Sequence, residues 1–162
     1  MNIRVTKDTL LSFKPSATTF MVHQVNNRAI ANQKSYGKVN GNTVNAIVPA
    51  CVPNVTSQTP LSSFGKLAEC YAFCIREAVK SGAELILVYP LGVGIEKKIV
   101  EEDANGSEIW GDLFWNHSKS SRAAKLAVEA ITTLEDTPDS VVVEFVVPEK
   151  AFDDWDTAMR FS

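Results

Sequence analysis

The sequence has few of the residues that build disulfide frameworks and metal centres. It holds only three cysteines and two histidines among its 162 residues. An odd number of cysteines without close metal-ligand spacing does not indicate a disulfide framework, and it fits a reducing compartment. Cys70 and Cys74 are four residues apart, which predicts two core positions on one helix, since free cysteine is among the most buried residue types. We expect no metal and no cofactor.

The chain also has no excess of basic residues and no long apolar run. Its formal net charge is −3 at pH 7, which argues against a broad basic face for duplex nucleic acid. A nucleotide ligand is not excluded, because backbone N–H groups bind phosphate without lysines. No run reaches the ~18 apolar residues of a spanning helix, and residues 1–4 lack the pattern of a signal peptide. We therefore expect a cytoplasmic protein that does not contact membranes.

Length and composition indicate one folded domain. Apolar residues make up 45% of the chain and charged residues 22%, as is usual in globular proteins. A chain of this length buries roughly 70% of the surface that it exposes when unfolded. We find no internal repeat and no linker, so a single domain spanning residues 1–162 is expected.

Strands and helices alternate along the second half of the chain. The predicted strands lie at 3–6, 18–25, 43–48, 84–89 and 141–147, and the predicted helices at about 63–81, 118–135 and 150–160. The polar segment 26–41 is interpreted as a long loop with room for one helical turn. Alternation implies parallel pairing with right-handed crossovers. The expected fold is a three-layer α/β/α sandwich with a mixed, largely parallel central sheet, in which ligands bind at the carboxyl ends of the strands.

Three segments that follow predicted strands carry residues suited to a ligand site. Asn26 and Asn27 offer side-chain amides that can hold a ribose hydroxyl or position a water, although asparagines at a strand end also cap helices and set turns. Segment 89–95 contains Gly-x-Gly, whose successive N–H groups can form an anion-binding nest or a plain turn. Phe152 is either a stacking platform for a base or a core residue.

The order of these features resembles the macro-domain family. Residues 67–71 (LAECY), a helix that ends at Gly82, and then 85–95 (LILVYPLGVGI) follow the family's succession of leucine, cysteine-tyrosine, helix, glycine, apolar strand, proline and glycine loop. The C-terminal part, from the alanine-rich helix at about 118–135 through residues 141–159, is similar to the family's last helix, strand and closing helix. Upstream, 19–27 (TFMVHQVNN) resembles its strand ending in asparagine, and Asp8 matches the aspartate of its opening turn.

This resemblance implies a role for each matched residue in binding ADP-ribose. Asp8 would hold the adenine amino group, Asn26 or Asn27 would lie by the distal ribose, and Phe152 would pack on the adenine. The loop around the diphosphate would comprise Pro90, Leu91, Gly92, Val93, Gly94 and Ile95. The implied functions are binding of ADP-ribose or a related nucleotide and hydrolysis of an ADP-ribosyl or ADP-ribose-phosphate linkage, with catalysis at Asn26 and Asn27.

The chain departs from the family pattern at three places. Segment 28–32 (RAIAN) stands where the family has a run of glycines, Lys7 replaces the glycine before Asp8, and segment 96–117 is longer and more acidic than usual. Two further functions therefore stay open. One is non-catalytic capture of a different nucleotide, for instance a cyclic or signalling derivative, and the other is a protein-interaction domain that kept the fold.

The remaining candidates are aromatic residues and the two histidines. Trp110, Phe114 and Trp115 would form a lid over the pocket or an interface anchor for a protein partner or for self-association. His117 is a candidate general base, because an unperturbed imidazole has a pKa of roughly 6.5, but it has no obvious carboxylate orienter in the sequence, so a structural role is the simpler expectation. His23, inside a predicted strand, is expected to be a hydrogen-bonded core residue.

Overall fold

The computed structural model describes residues 1–11, 14, 16–23, 36–39, 41–49, 64–91 and 117–161. Within these ranges the strands are β1 (Asn2–Lys7), β2 (Thr19–Val22), β3 (Tyr36–Val39), β4 (Asn42–Ile47), β5 (Leu85–Val88) and β6 (Val142–Val147). The α-helices are α1 (Phe64–Lys80), α2 (His117–Thr132) and α3 (Phe152–Arg160). Single 3-10 turns at Asp8–Leu10 and Glu149–Ala151 follow β1 and β6.

All six strands form one sheet in the order β1-β6-β5-β2-β4-β3. Every neighbouring pair is parallel except β3 with β4. The predicted α/β class with a mixed, largely parallel sheet is therefore confirmed. At the centre, Val88 of β5 lies opposite Val22 on one side and Phe145 on the other.

The apolar side chains of the sheet divide between its two faces. On one face they join the helices in the main core, which includes Phe20, Val22, Ile86, Val88, Val143, Phe145 and Val147. On the opposite face they form a second core, comprising Leu11, Met21, Val39, Val44, Ala46, Leu87 and Val146. Strand β5 contributes to both, as its continuous apolar run predicts for a strand covered on both faces. All three described helices contribute to the main core, and the second helical layer of a three-layer sandwich stays a prediction.

Helix α1 follows the predicted apolar stripe. Its fully buried residues are Leu67, Tyr71, Cys74, Ile75 and Ala78, one face of a 3.6-residue period. The helix ends at Lys80, and Gly82 then takes a φ of +91°. Glycine tolerates this left-handed conformation, which turns the chain away from the helix axis into β5.

The expectation of a loop across 26–41 is wrong for residues 36–39. These residues form the edge strand β3, which pairs antiparallel with β4 from Tyr36↔Asn45 to Val39↔Asn42. Gly41, directly before β4, has a φ of +81°. Asn-Gly between two strands is a strong hairpin signal, and the polar surroundings of this dipeptide concealed it.

None of the helices among the described residues combines the length and the apolar character that crossing a membrane requires.

The backbone of β3 closely approaches the side chains of Met21 in β2 and of His23 directly after it. A Cβ placed on Gly37 would overlap Sδ of Met21 and lie 3.2 Å from Nε2 of His23. Met21 is only 3% exposed, so its side chain has little room to move. The absence of a side chain at position 37 is therefore a packing requirement.

We predict that Gly37→Ala lowers the free energy of unfolding by about 1–3 kcal/mol, the usual cost of overpacking. Urea unfolding followed by circular dichroism measures the change. Gly65→Ala is the matched control, because a Cβ there meets nothing within 4 Å and alanine favours a helix by up to about 1 kcal/mol. Equal stability of wild type and Gly37→Ala would contradict the close packing.

The two cysteines of α1 differ in their surroundings. Cys74 is fully buried and Cys70 is half-buried, and neither forms a disulfide. Burial, and secondarily the nearby Cys70 and Glu77, raise the pKa of the Cys74 thiol to about 12. Because the thiolate is the reactive form, Cys74 is chemically inert.

We predict that iodoacetamide at pH 8 leaves Cys74 unmodified in the native protein, since roughly one thiol in ten thousand is ionised at that pH. Cys70 is the internal control and reacts first. Peptide mass spectrometry before and after denaturation gives the comparison. Modification of both thiols at the same rate in the native state would show that Cys74 is not shielded.

Candidate functional site

Parallel pairing brings several of the predicted site residues to one edge of the sheet. Asp8 directly follows β1, Pro90 and Leu91 follow β5, and Phe152 follows β6 after one 3-10 turn. Since β1, β6 and β5 are consecutive in the sheet, their carboxyl ends lie side by side. The remaining predicted site residues lie outside the described residues, namely Asn26, Asn27, Gly92, Val93, Gly94 and Ile95.

The start of the predicted glycine loop is attached to helix α1. The backbone N–H of Leu91 donates a buried hydrogen bond of 2.7 Å to the hydroxyl of Tyr71. Tyr71 is 1% exposed, and its ring lies edge-on to Phe145 with 6.3 Å between the centroids. The hydrogen bond shows that Tyr71, the tyrosine of the Cys-Tyr pair, fixes the point where the chain leaves β5.

The same hydrogen bond limits what Leu91 can offer to a ligand. Its side chain is 1% exposed, and its N–H is directed into the protein. Pro90 is also buried and has no N–H. Backbone donors to an anion at the predicted loop are therefore expected only from residue 92 onward, outside the described residues.

A charged and aromatic group lies at the ends of β1 and β6. The Lys7 ammonium stands 5.2 Å from the centroid of the Phe152 ring and 3.6 Å from Oε1 of Glu149. Phe152 is half-buried and packs against the main core. The interpretation of Phe152 as a core residue is therefore confirmed in part, and its role as a stacking platform for a base stays a prediction. Sequence reasoning noted the replacement at position 7 but did not place Lys7 on the aromatic ring.

His23 lies at the end of β2, near the middle of the same edge. It is 1% exposed, which confirms the expected core position, and the hydrogen bonding expected of its ring stays a prediction. Its backbone N–H donates to the carbonyl of Ile47 at 3.4 Å and so continues the pairing with β4 beyond the last strand residue. Strand β2 is shorter than predicted, since it ends at Val22.

A second polar contact joins helices α2 and α3. The hydroxyl of Ser121 donates to Oδ1 of Asp154 at 3.1 Å, and Asp154 is only 8% exposed. The neighbouring Trp155 is fully buried against Phe145, with 4.9 Å between the ring centroids. These residues fix α3, and therefore Phe152 at its first position, against the body of the domain. The aromatic period of α3 was visible in the sequence, whereas the partner of Asp154 was not.

Other candidates are not located by the structure. Trp110, Phe114 and Trp115 lie outside the described residues. The backbone of His117 begins α2, and the structure leaves its side chain undescribed. Within the described ranges, no group of three His, Cys, Asp or Glu side chains is arranged to hold a metal ion.

A groove with a volume of about 310 Å³ lies away from this edge. It runs between the second half of α1 and the turn after α2, and the residues lining it are Phe73, Arg76, Glu77, Val79, Lys80, Leu134, Asp136 and Thr137. Because α1 runs from the carboxyl edge of the sheet towards the amino ends of the strands, this groove belongs to the opposite end of the domain. None of the predicted site residues lines it.

Comparison of the chain with protein-family models, with curated proteins and with solved structures gives no match.

We predict that Tyr71→Phe lowers the free energy of unfolding by about 1–3 kcal/mol, because it leaves the buried N–H of Leu91 without its acceptor. The ring and its contact with Phe145 are kept, so the change isolates the hydroxyl. Chemical denaturation gives the stability, and hydrogen exchange of the Leu91 amide, which should become faster, gives the local effect. Unchanged exchange at Leu91 would show that this hydrogen bond does not hold the loop.

Proposed function

We propose that this chain binds ADP-ribose or a related nucleotide at the carboxyl edge of strands β1, β6 and β5. The observation that carries the proposal is the convergence of Asp8, the start of the glycine loop at Leu91, and Phe152 at that edge. These are the positions to which the macro-domain resemblance assigns the adenine and diphosphate contacts. Open parallel sheets bind their ligands at this edge.

The order of the elements along the chain supports a macro-like arrangement, and the second helical layer of a three-layer sandwich is part of the proposal. Helix α1 is followed by Gly82 in the left-handed conformation, by the apolar strand β5 and by Pro90. Helix α2, strand β6 and helix α3 then close the chain in the order that the resemblance implies. A cytoplasmic location is part of the same proposal.

In the proposed complex, the glycine loop holds the diphosphate by its backbone. The N–H groups of Gly92 to Ile95 would converge on the phosphate oxygens as a nest, which suits a chain with a net charge of −3 because it needs no lysine. Tyr71 would fix the first residue of the loop, so less conformational entropy is lost when the ligand binds. Asp8 would accept a hydrogen bond from the adenine amino group.

Hydrolysis would be a further step at the distal end of the ligand. Asn26 or Asn27 would orient a water towards the anomeric carbon of the distal ribose or towards a terminal phosphate. The new bond from the water oxygen would replace the bond to the leaving group, which departs with the water's proton. Catalysis of this kind operates through positioning and electrostatics.

Two departures from the family pattern favour the alternative of a non-catalytic module for a different nucleotide. Segment 28–32 has no glycine where the family's ribose-contacting run is expected, and Lys7 occupies the ring of Phe152. Turnover of an ADP-ribosylated substrate, abolished by Asn26→Ala, would favour the enzyme. The third alternative, a protein-interaction domain, depends on Trp110, Phe114 and Trp115. If it is correct, the double variant Trp110→Ala, Trp115→Ala should break an oligomer or a complex with a partner.

We predict that Gly94→Val weakens nucleotide binding by roughly 2–4 kcal/mol, because a side chain in the nest removes two or more charge-assisted hydrogen bonds. Isothermal titration calorimetry with ADP-ribose measures the change. The melting temperature should move little, since loops tolerate substitution better than the core.

Ser81→Val is the control for a valine substitution away from the edge, because Ser81 is exposed and directly follows α1 at the opposite end of the domain, and its affinity should equal that of wild type. Unchanged affinity in a folded Gly94→Val protein would exclude this loop as the phosphate site. An absence of any binding at millimolar ADP-ribose would reject the proposed ligand itself.

A further inference from the structure

We propose that Lys7 is a specificity-determining residue, because it competes with a nucleobase for the ring of Phe152. This inference rests on the proposed function, and it concerns a residue that the chain carries in place of a glycine. A glycine would leave the aromatic ring open, whereas a lysine can reach over it.

The ring of Phe152 is already in contact with Lys7. The Lys7 ammonium lies 5.2 Å from the centroid of Phe152, within the range at which a cation is attracted to the face of an aromatic ring. Because the half-buried ring also packs against the main core, the face beneath Lys7 is the one that a ligand can reach. A base that stacks on Phe152 must therefore displace the ammonium.

Lys7 is also held by a carboxylate. Oε1 of Glu149 lies 3.6 Å from Nζ, with the Lys7 side chain 31% exposed and that of Glu149 72% exposed. Because this ion pair is exposed to solvent, it holds the lysine only weakly. The ion pair and the contact with the ring together make Lys7 a modest competitor for the ring of Phe152. A ligand whose base stacks strongly can displace the lysine, and a ligand whose base stacks weakly cannot.

The sign of the effect distinguishes this proposal from an ordinary charge contact. A lysine that touched the phosphates would attract any nucleotide, and its removal would weaken binding. A lysine that covers the base platform does the opposite, so its removal strengthens binding. The structure favours the second case, because Lys7 is directed to Phe152 and Glu149 on the β1–β6 side of the edge.

The test is calorimetry with ADP-ribose on wild type, Lys7→Ala and Lys7→Arg, with Lys125→Ala as the control. Lys125 is an exposed residue of α2 and has no part in the site. We expect Lys7→Ala to bind about 3- to 10-fold tighter than wild type, which corresponds to the strength of an exposed cation–π contact with a weak ion pair. Lys7→Arg should bind no tighter than wild type, because a guanidinium also stacks on aromatic faces. Thermal melting checks that all four proteins are folded.

The possible results separate the two proposals. Tighter binding by Lys7→Ala alone, including binding seen only in that variant, supports the competition. Equal or weaker binding by Lys7→Ala, in a chain whose wild type binds ADP-ribose, overturns the competition and leaves the proposed function standing. No binding by any of the four proteins rejects the proposed function and this inference with it.

Discussion

Two parallel strands that follow each other along the chain need a connection that carries the chain back to the opposite edge of the sheet, and this requirement decides where helices and strand ends lie. The returning helices cover a face of the sheet, so the strands at its centre are buried and apolar. Leu87 and Ile86 of β5 accordingly point into the two separate cores. The same requirement gathers the carboxyl ends of the strands into one row, and any polar group placed just after a strand joins a common surface.

Burial of Tyr71 connects this architecture to the candidate site. Its position on the apolar face of α1 is set by helical period, and its ring packs against Phe145 of β6. A buried hydroxyl needs a partner, since an unpaired polar group in the core is costly. The N–H of Leu91 is that partner, so the packing of one helix fixes the exit of β5 and the start of the glycine loop.

Features that depend on local pattern could be predicted from the sequence. The stripe from Leu67 to Ala78 located α1 to within about a residue at either end, and the continuous apolar run located β5. Strand β3 was not predicted because it lies in a polar segment whose composition is typical of a loop. The convergence of Asp8, Leu91 and Phe152 followed from parallel pairing, although their separate roles were implied by the family resemblance.

Contacts between residues distant in the chain could not be predicted. Neither Lys7 over Phe152 nor Ser121 beside Asp154 leaves any periodic signal, because side-chain partners across elements are determined only once the sheet order is known. The order β1-β6-β5 places the first and last strands together, and that single fact brings Lys7 to Glu149 and Phe152. Sequence reasoning identified position 7 as unusual, and the fold supplies what the lysine touches.

The central claim is that the carboxyl edge of the sheet is the ligand-binding surface of this chain. Two-dimensional NMR of the labelled protein during titration with ADP-ribose tests it most directly. The account predicts saturable shifts at the amides of Asp8, Leu91 and Phe152, with little change at Phe73, Lys80 and Leu134 around the groove at the opposite end. Shifts confined to those groove residues, or none at the carboxyl edge at saturating ligand, would contradict it.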